Sequence, residues 1–154
     1  MLYYVNTSGA KTAAGDLLEG LVPSDAVVVL HELGITQSTE FGDAQSEQIT
    51  ISLKRAVGST SGSGGSALTP RLQESGQAAA GGTYEGMNTT ALSGGTITTL
   101  LQESFNVMNG YTKIWTPETR PRFSPGQFFV VTLDSTPNDS ITFQVYAAFE
   151  EIGG

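Results

Sequence analysis

The sequence predicts an all-β protein, an antiparallel β-sandwich, and three observations carry that reading. In "SITFQVYAAFEE", Ile141, Phe143, Val145, Ala147 and Phe149 share one parity while Thr142, Gln144 and Glu150 share the other. That period of two marks a strand with one buried and one wet or partner-facing side. Turn signals recur along the whole chain, at Val22-Pro23-Ser24, Asn109-Gly110, Ser124-Pro125-Gly126 and Thr136-Pro137-Asn138-Asp139. Glycine, serine and threonine together make 53 of the 154 residues while only 14% are charged, a composition suited to strands, turns and surfaces that pack on neighbours.

Each element follows from its own pattern. "LYYVN" near the start reads as a strand, and "DLLEGLV" over residues 16–22 as a weaker one. "DAVVVLHELGITQS" is apolar on both parities early and alternates later, which predicts a strand more deeply covered at its start. "QITISLKRA" points Ile49, Ile51 and Leu53 one way and Thr50, Ser52 and Lys54 the other, so a slip of one residue would wet its whole apolar set. "TITTLLQESFNV" has a helix-like centre at Leu100-Leu101-Gln102-Glu103, but its β-branched flanks turn the balance to strand. "YTKIWT", then "GQFFVVTLDS" with apolar residues on both parities, then the terminal strand complete the set. The strand number fits a jelly roll, and pattern alone fits an immunoglobulin-like order equally well.

"GSTSGSGGSALTPRLQESG", beginning at Gly58, has the composition of a tether between domains. A cut there would leave a first half with few apolar runs and no cysteine or metal cluster to staple it. The expectation is one domain spanning 1–154, with a long Gly/Ser-rich surface loop at about 58–66.

The net charge of −8, from seven basic against fifteen acidic residues, leaves no basic stripe to displace counterions from phosphate. Neither nucleic acid nor an anionic membrane is therefore an expected partner. No run reaches the length of a membrane-spanning helix and no signal-peptide core follows Met1, so a cytosolically made, soluble chain is expected. Three sequon matches, at Asn6, Asn88 and Asn138, read as accidents of a Ser/Thr-rich chain.

Chemistry is sparse. His31 is the only histidine, no second ligand stands four residues on, and neighbours 31 and 32 on a regular strand face opposite ways. A partly buried, hydrogen-bonded His31 is the expectation. No serine sits in a G-x-S-x-G elbow and no glycine cluster opens a helix. Glu150 and Glu151 should split between faces, and a calcium site from Asp43, Glu47 or Asp139 has no supporting loop spacing. No catalytic residue, no metal and no cofactor is expected. Tyr111 and Trp115, with Lys113 on the same parity, could form an aromatic platform, although a cross-strand or interface role is the commoner use of such rings. Arg120 and Arg122 are the densest positive spot, and Pro121 between them predicts an extended edge or loop. They either pair internally with Glu118 or Glu150 or anchor an acidic partner.

Over most of its length after Ser66, and more loosely in its first strands, the chain resembles a group of small virion-associated proteins of tailed bacteriophages and prophages. The residues carrying the resemblance are Glu103, Phe105-Asn106-Val107, Gly110, Thr116-Pro117-Glu118, Arg120 and the terminal Phe149-Glu150-Glu151-Ile152-Gly153. "RLQESGQAAA" departs from the group's pattern, having no proline. The resemblance implies a jelly-roll capsid decoration (cement) protein that is not an enzyme. Its expected partner is the major capsid protein, its expected state a homotrimer, and its place the capsid surface after synthesis in the host cytoplasm. The alternative is a receptor- or glycan-binding module of a tail fibre or baseplate. More distant rivals are a glycan-cleaving virion enzyme and a cellular binding module.

Overall fold

The computed structural model describes residues 1–40 and 47–154, and these contain strands and turns with no helix. Twelve strands form: β1 (Leu2–Lys11), β2 (Gly15–Leu21), β3 (Ala26–Gln37), β4 (Gln48–Val57), β5 (Ser66–Leu68), β6 (Arg71–Leu72), β7 (Thr83–Gly86), β8 (Thr96–Asn106), β9 (Tyr111–Ile114), β10 (Arg122–Phe123), β11 (Phe128–Leu133) and β12 (Ile141–Gly153). They make two antiparallel sheets packed face to face. One runs β10-β3-β12-β1-β6 with β9 also on β3, and the other runs β5-β7-β2-β11-β4-β8.

The eight principal strands have the order of a jelly roll. Strands β1, β3, β9 and β12 lie in the first sheet, and β2, β4, β8 and β11 in the second. The chain changes sheet at each principal step except from β4 to β8, which are neighbours in one sheet. All the strands expected from periodicity are present. The weak candidate at 16–22 is β2, an interior strand between β7 and β11. The short strands β5, β6 and β7 lie in residues 66–86, where no apolar alternation marks them.

Between the sheets, the inward parities meet as predicted. Ile49, Ile51 and Leu53 of β4 and Ile141, Phe143, Val145, Ala147 and Phe149 of β12 are all buried. Phe149 is the hub of an aromatic cluster, with ring centroids 5.5 Å from Tyr3, 5.0 Å from Tyr84 and 6.3 Å from Phe129. The Phe129 ring fills the space over Gly20, where an added Cβ would lie 2.3 Å from it. Any larger residue at 20 displaces that ring.

A β-bulge explains the mixed pattern of β3. The register against β12 shifts between Ala148 and Phe149, so Ala148 faces Glu32 while Phe149 faces Leu30. Leu30 and Leu33 both reach the core. His31 and Glu32 therefore share the outer face, correcting the expectation of opposite faces for a regular strand. Both engage outward residues of β12: His31 Nε2 lies 3.3 Å from Glu150, and the Tyr146 hydroxyl donates to Glu32 at 2.5 Å.

The Gly/Ser-rich stretch lies on the outer face of the second sheet and is stitched to a second loop like itself. Residues 58–65 lead from β4 to β5 and residues 87–95 from β7 to β8, and the two bond to each other. Thr60 exchanges backbone hydrogen bonds with Ser93 (2.8 and 3.1 Å), and Ser63 exchanges them with Thr90 (both 3.0 Å). The pairing is symmetric because the sequence repeats. Thr60-Ser61-Gly62-Ser63-Gly64-Gly65-Ser66 and Thr90-Ala91-Leu92-Ser93-Gly94-Gly95-Thr96 share the pattern T-x-x-S-G-G-[S/T]. Gly64 and Gly94 both take positive φ, 81° and 73°, conformations that other residues adopt only with strain.

What lies beneath these straps fixes them. Phe128, Val130 and Ala56, on the outer side of the second sheet, are covered by Leu92. This is why β11 is apolar on both parities. Beside them Glu19, 3% exposed, accepts the Gly62 amide at 3.0 Å, the Asn88 side-chain amide at 3.3 Å and the Ser61 hydroxyl. Asp16 accepts the Leu92 amide at 2.7 Å, and the Lys11 ammonium donates to the Asn88 carbonyl at 2.7 Å.

Removing Glu19 leaves the buried Gly62 amide without its acceptor and takes one partner each from Asn88 and Ser61, so Glu19→Ala is expected to cost roughly 1–3 kcal/mol in denaturant unfolding. It should also open residues 58–66 to faster limited proteolysis than in the wild type. An unchanged cleavage rate would show that Glu19 does not hold the strap.

Candidate interaction surface

The two margins of the sandwich are finished differently. On the side of β1 and β2, residues 58–95 close the structure: β6 pairs with the free side of β1, and β7 then β5 extend the sheet beyond β2. On the opposite side, β9 and β10 sit end to end on β3, and β8 ends the second sheet. Nothing among the described residues covers that side.

A groove of about 410 Å³ opens there between the sheets. Leu53, Leu100 and Leu101 form one wall, and Lys113, Trp115, Thr119 and Pro121 the other. Three other grooves on the surface measure about 210, 240 and 250 Å³. A bulge sets the near wall: Leu53 pairs with Leu101 but Lys54 with Thr99, leaving Leu100 as the extra residue of β8. Two consecutive leucines thereby reach one mouth, which regular alternation forbids. The charge beside it is neutralised internally, because Lys113 pairs with Glu103 at 3.3 Å.

The four residues singled out in the sequence converge on this margin. Tyr111 begins β9 and Trp115 follows it, but the two side chains are only 9% and 7% exposed. Tyr111 stacks on Phe105 of β8 at 5.4 Å, tying the sheets together at this margin. The rings do not form an open platform for a sugar, because their faces are packed inside the sandwich. Trp115 offers only the surface that lines the groove.

Arg120 and Arg122 lie on the extended segment expected from Pro121. Arg122 is in β10, an edge strand, and faces outward since its neighbour Phe123 is the buried one. The Pro121 carbonyl accepts the Leu30 amide at 3.0 Å, which docks the segment on β3. Neither guanidinium forms an ion pair among the described residues. Glu150 is engaged by His31 at 3.3 Å, and Glu118 by backbone and the Thr116 hydroxyl, with Arg120 a lesser influence that also holds its carboxyl below the usual range. Arg120 Nε is buried with no hydrogen-bond partner among the described residues, an unusual state for a donor.

The described residues contain no group of three or more His, Asp or Glu side chains placed to hold a metal ion. Of the calcium candidates, Asp43 lies outside the described residues, and the Glu47 carboxylate accepts the Asn138 amide at 2.8 Å. Folding does create one carboxylate pair that sequence reasoning missed. Glu19 and Glu85 stand opposite each other on β2 and β7, with the Asn88 amide donating to both at 3.3 and 3.1 Å. Glu19 is consumed in holding the straps, and neither carboxylate lines any of these grooves. Glu150 and Glu151 do split between faces: Glu151 turns inward and accepts the Tyr84 hydroxyl at 2.8 Å and the Gly81 amide at 2.9 Å.

No protein-family model, no curated protein and no solved structure matches this chain.

The tyrosines make the sandwich sensitive to alkali. Burial, followed by the neighbouring carboxylate, raises the phenols of Tyr84 (Glu151), Tyr111 (Glu103) and Tyr3 (Glu151) above their ordinary value of 10.0. The hydrogen bond to Glu32 leads the causes that push Tyr146 up to about 12. Groups with raised folded values contribute stability that is complete below pH 10.0 and is lost as pH rises toward those folded values. Lys11, lowered by burial, works in the opposite sense just below 10.5, one group against four. The melting temperature should therefore fall steeply above about pH 10, with phenolate absorbance appearing at the unfolding transition, and Tyr84→Phe should shallow the fall. Phenolate absorbance developing fully before unfolding would contradict this account.

Proposed function

We propose that this chain is a structural protein of a bacteriophage particle, a decoration protein that binds the outside of the major capsid shell as a homotrimer and stabilises it. The observation that carries the reading is the unfinished margin at β8, β9 and β10. Among the described residues, an apolar groove, an uncovered strand and two arginines without ion pairs sit together there, on a chain that is otherwise strongly acidic. The motif resemblance after Ser66 and the jelly-roll strand order support it. So does the low charge of a surface rich in threonine, serine and glycine. Stabilisation needs no chemistry: binding only the assembled state raises its stability by mass action, and contacts to several shell subunits multiply weak individual ones.

A glycan-binding role has less support, because Tyr111 and Trp115 pack inside. Copy number in purified particles separates the two roles, since a shell decoration is present in numbers comparable with the major capsid protein and a tail part is not.

The arginines test the contact directly. Charge-assisted bonds to a desolvated carboxylate contribute roughly 1–3 kcal/mol each. Arg120→Ala/Arg122→Ala should sharply reduce occupancy on decoration-free shells while leaving the melting temperature of the isolated protein within a degree or two (about 0.5 kcal/mol). Full occupancy with a lowered melting temperature would assign the pair to the fold and remove this anchor.

A further inference from the structure

We infer that β8 is an acceptor edge: it takes up one β-strand from an acidic, extended segment of a partner protein, and a bulky apolar side chain of that segment seats in the groove beside Leu100. The inference deepens the reading above by naming the chemistry of the partner, and it rests on that reading only for which particle the partner belongs to.

The first argument is strand length. Each sheet has two ends, and three of them are short: β5 and β6 have three and two residues, and β9 and β10, end to end on β3, have four and two. Very short edge strands are a standard protection against unwanted pairing. The fourth end is β8, with eleven residues, about 37 Å of strand at the usual rise. Its first stretch, Thr96-Ile97-Thr98-Thr99-Leu100-Leu101, contains no charge and no proline, the residues that commonly guard an edge. Thr96 to Leu100 are all exposed, Ile97 at 44% and Leu100 at 39%. The bulge at Leu100 twists the edge without capping it, and it turns Leu100 and Leu101 toward the groove.

The second argument selects the occupant. A strand laid along β8 places alternate side chains over the groove, whose 410 Å³ exceeds the volume of any single side chain. Across the groove stand Thr119 and Pro121, flanking Arg120, and Arg122 follows; neither guanidinium forms an ion pair among the described residues. A second copy of this chain paired edge to edge about a two-fold axis would bring the same cationic segment. At the groove its carboxylates are already engaged, Glu103 by Lys113 and Glu118 by backbone and Thr116. An acidic segment from a different protein satisfies the arginines, and a like-charged one does not.

The test uses the full chain and a synthetic peptide of about ten residues. The peptide alternates valine and threonine around one central leucine and carries three aspartates at one end; a control carries three lysines instead. Fluorescence polarisation measures affinity, and hydrogen exchange of the 96–101 amides reports strand addition. The aspartate peptide should bind and slow exchange at those amides. The lysine peptide, Leu100→Lys and Arg120→Ala/Arg122→Ala should each weaken binding by roughly tenfold or more, with melting temperatures unchanged. Absence of slowed exchange, or equal binding of the two peptides, overturns the inference. So does a wild-type oligomer that Leu100→Lys converts to monomer, which would make a second copy the occupant. Shell capture without peptide binding defeats only this inference, whereas peptide binding without shell capture defeats only the decoration role.

Discussion

A sheet leaves a row of unpaired backbone groups wherever it ends, and among the described residues this molecule ends its sheets in short strands everywhere except at β8. Residues 58–95, inserted between two neighbouring strands of one sheet, cross its outer face, add β5 and β7 beyond β2, and place β6 against β1. The returning strap then delivers the chain to β8, at the far end of the same sheet. One insertion thus finishes one margin and leaves the other to a long unpaired strand. The asymmetry follows from connectivity: a strap that leaves β4 and ends in β8 must cross the sheet twice, and only its turning point can build new edge.

Covering a sheet with Gly- and Ser-rich chain raises a difficulty of its own, because such residues bury little apolar surface. The straps solve it with polar anchors below and symmetry above. Glu19, Asp16 and Lys11 receive or supply the hydrogen bonds that the straps cannot make to a regular ladder, and Leu92 and Met87 contribute apolar contacts. The repeated T-x-x-S-G-G pattern lets the two straps satisfy each other. Three of the few charged residues are therefore held inside the fold. A surface left with so few ionic groups can lie against a neighbour at little desolvation cost.

On the open side, the elements that define the surface are held by the core. Tyr111 stacked on Phe105 joins β9 to β8, and Phe123 anchors β10 while its neighbour Arg122 stays outside. The groove is consequently a rigid feature with a polar rim, not a loop that must order on contact. Such preorganisation favours docking of an extended segment, since most of the ordering cost falls on the incoming chain.

The all-β class, the eight principal strands and the inward sets of β4 and β12 were legible in the sequence, because a period of two is a local signal and a wrong register exposes every apolar residue at once. The punctuation of Arg120 and Arg122 by proline was legible for the same local reason. The strap repeat was legible too, written as identical spacing around Ser63-Gly64-Gly65 and Ser93-Gly94-Gly95, although composition alone suggested a tether. Other features exist only in three dimensions. The bulges that put His31 beside Glu32, and Leu100 beside Leu101, arise from pairing with distant strands and leave no trace in either segment. The burial of Tyr111 and Trp115 depends on β8 lying opposite. Glu19 looks like a solvated charge in "DLLEGLV" and becomes a buried anchor only when residues 58–66 fold over it. Local periodicity decides which way a strand faces; which strand ends a sheet, and what it leaves uncovered, is decided by contacts between residues far apart in the chain.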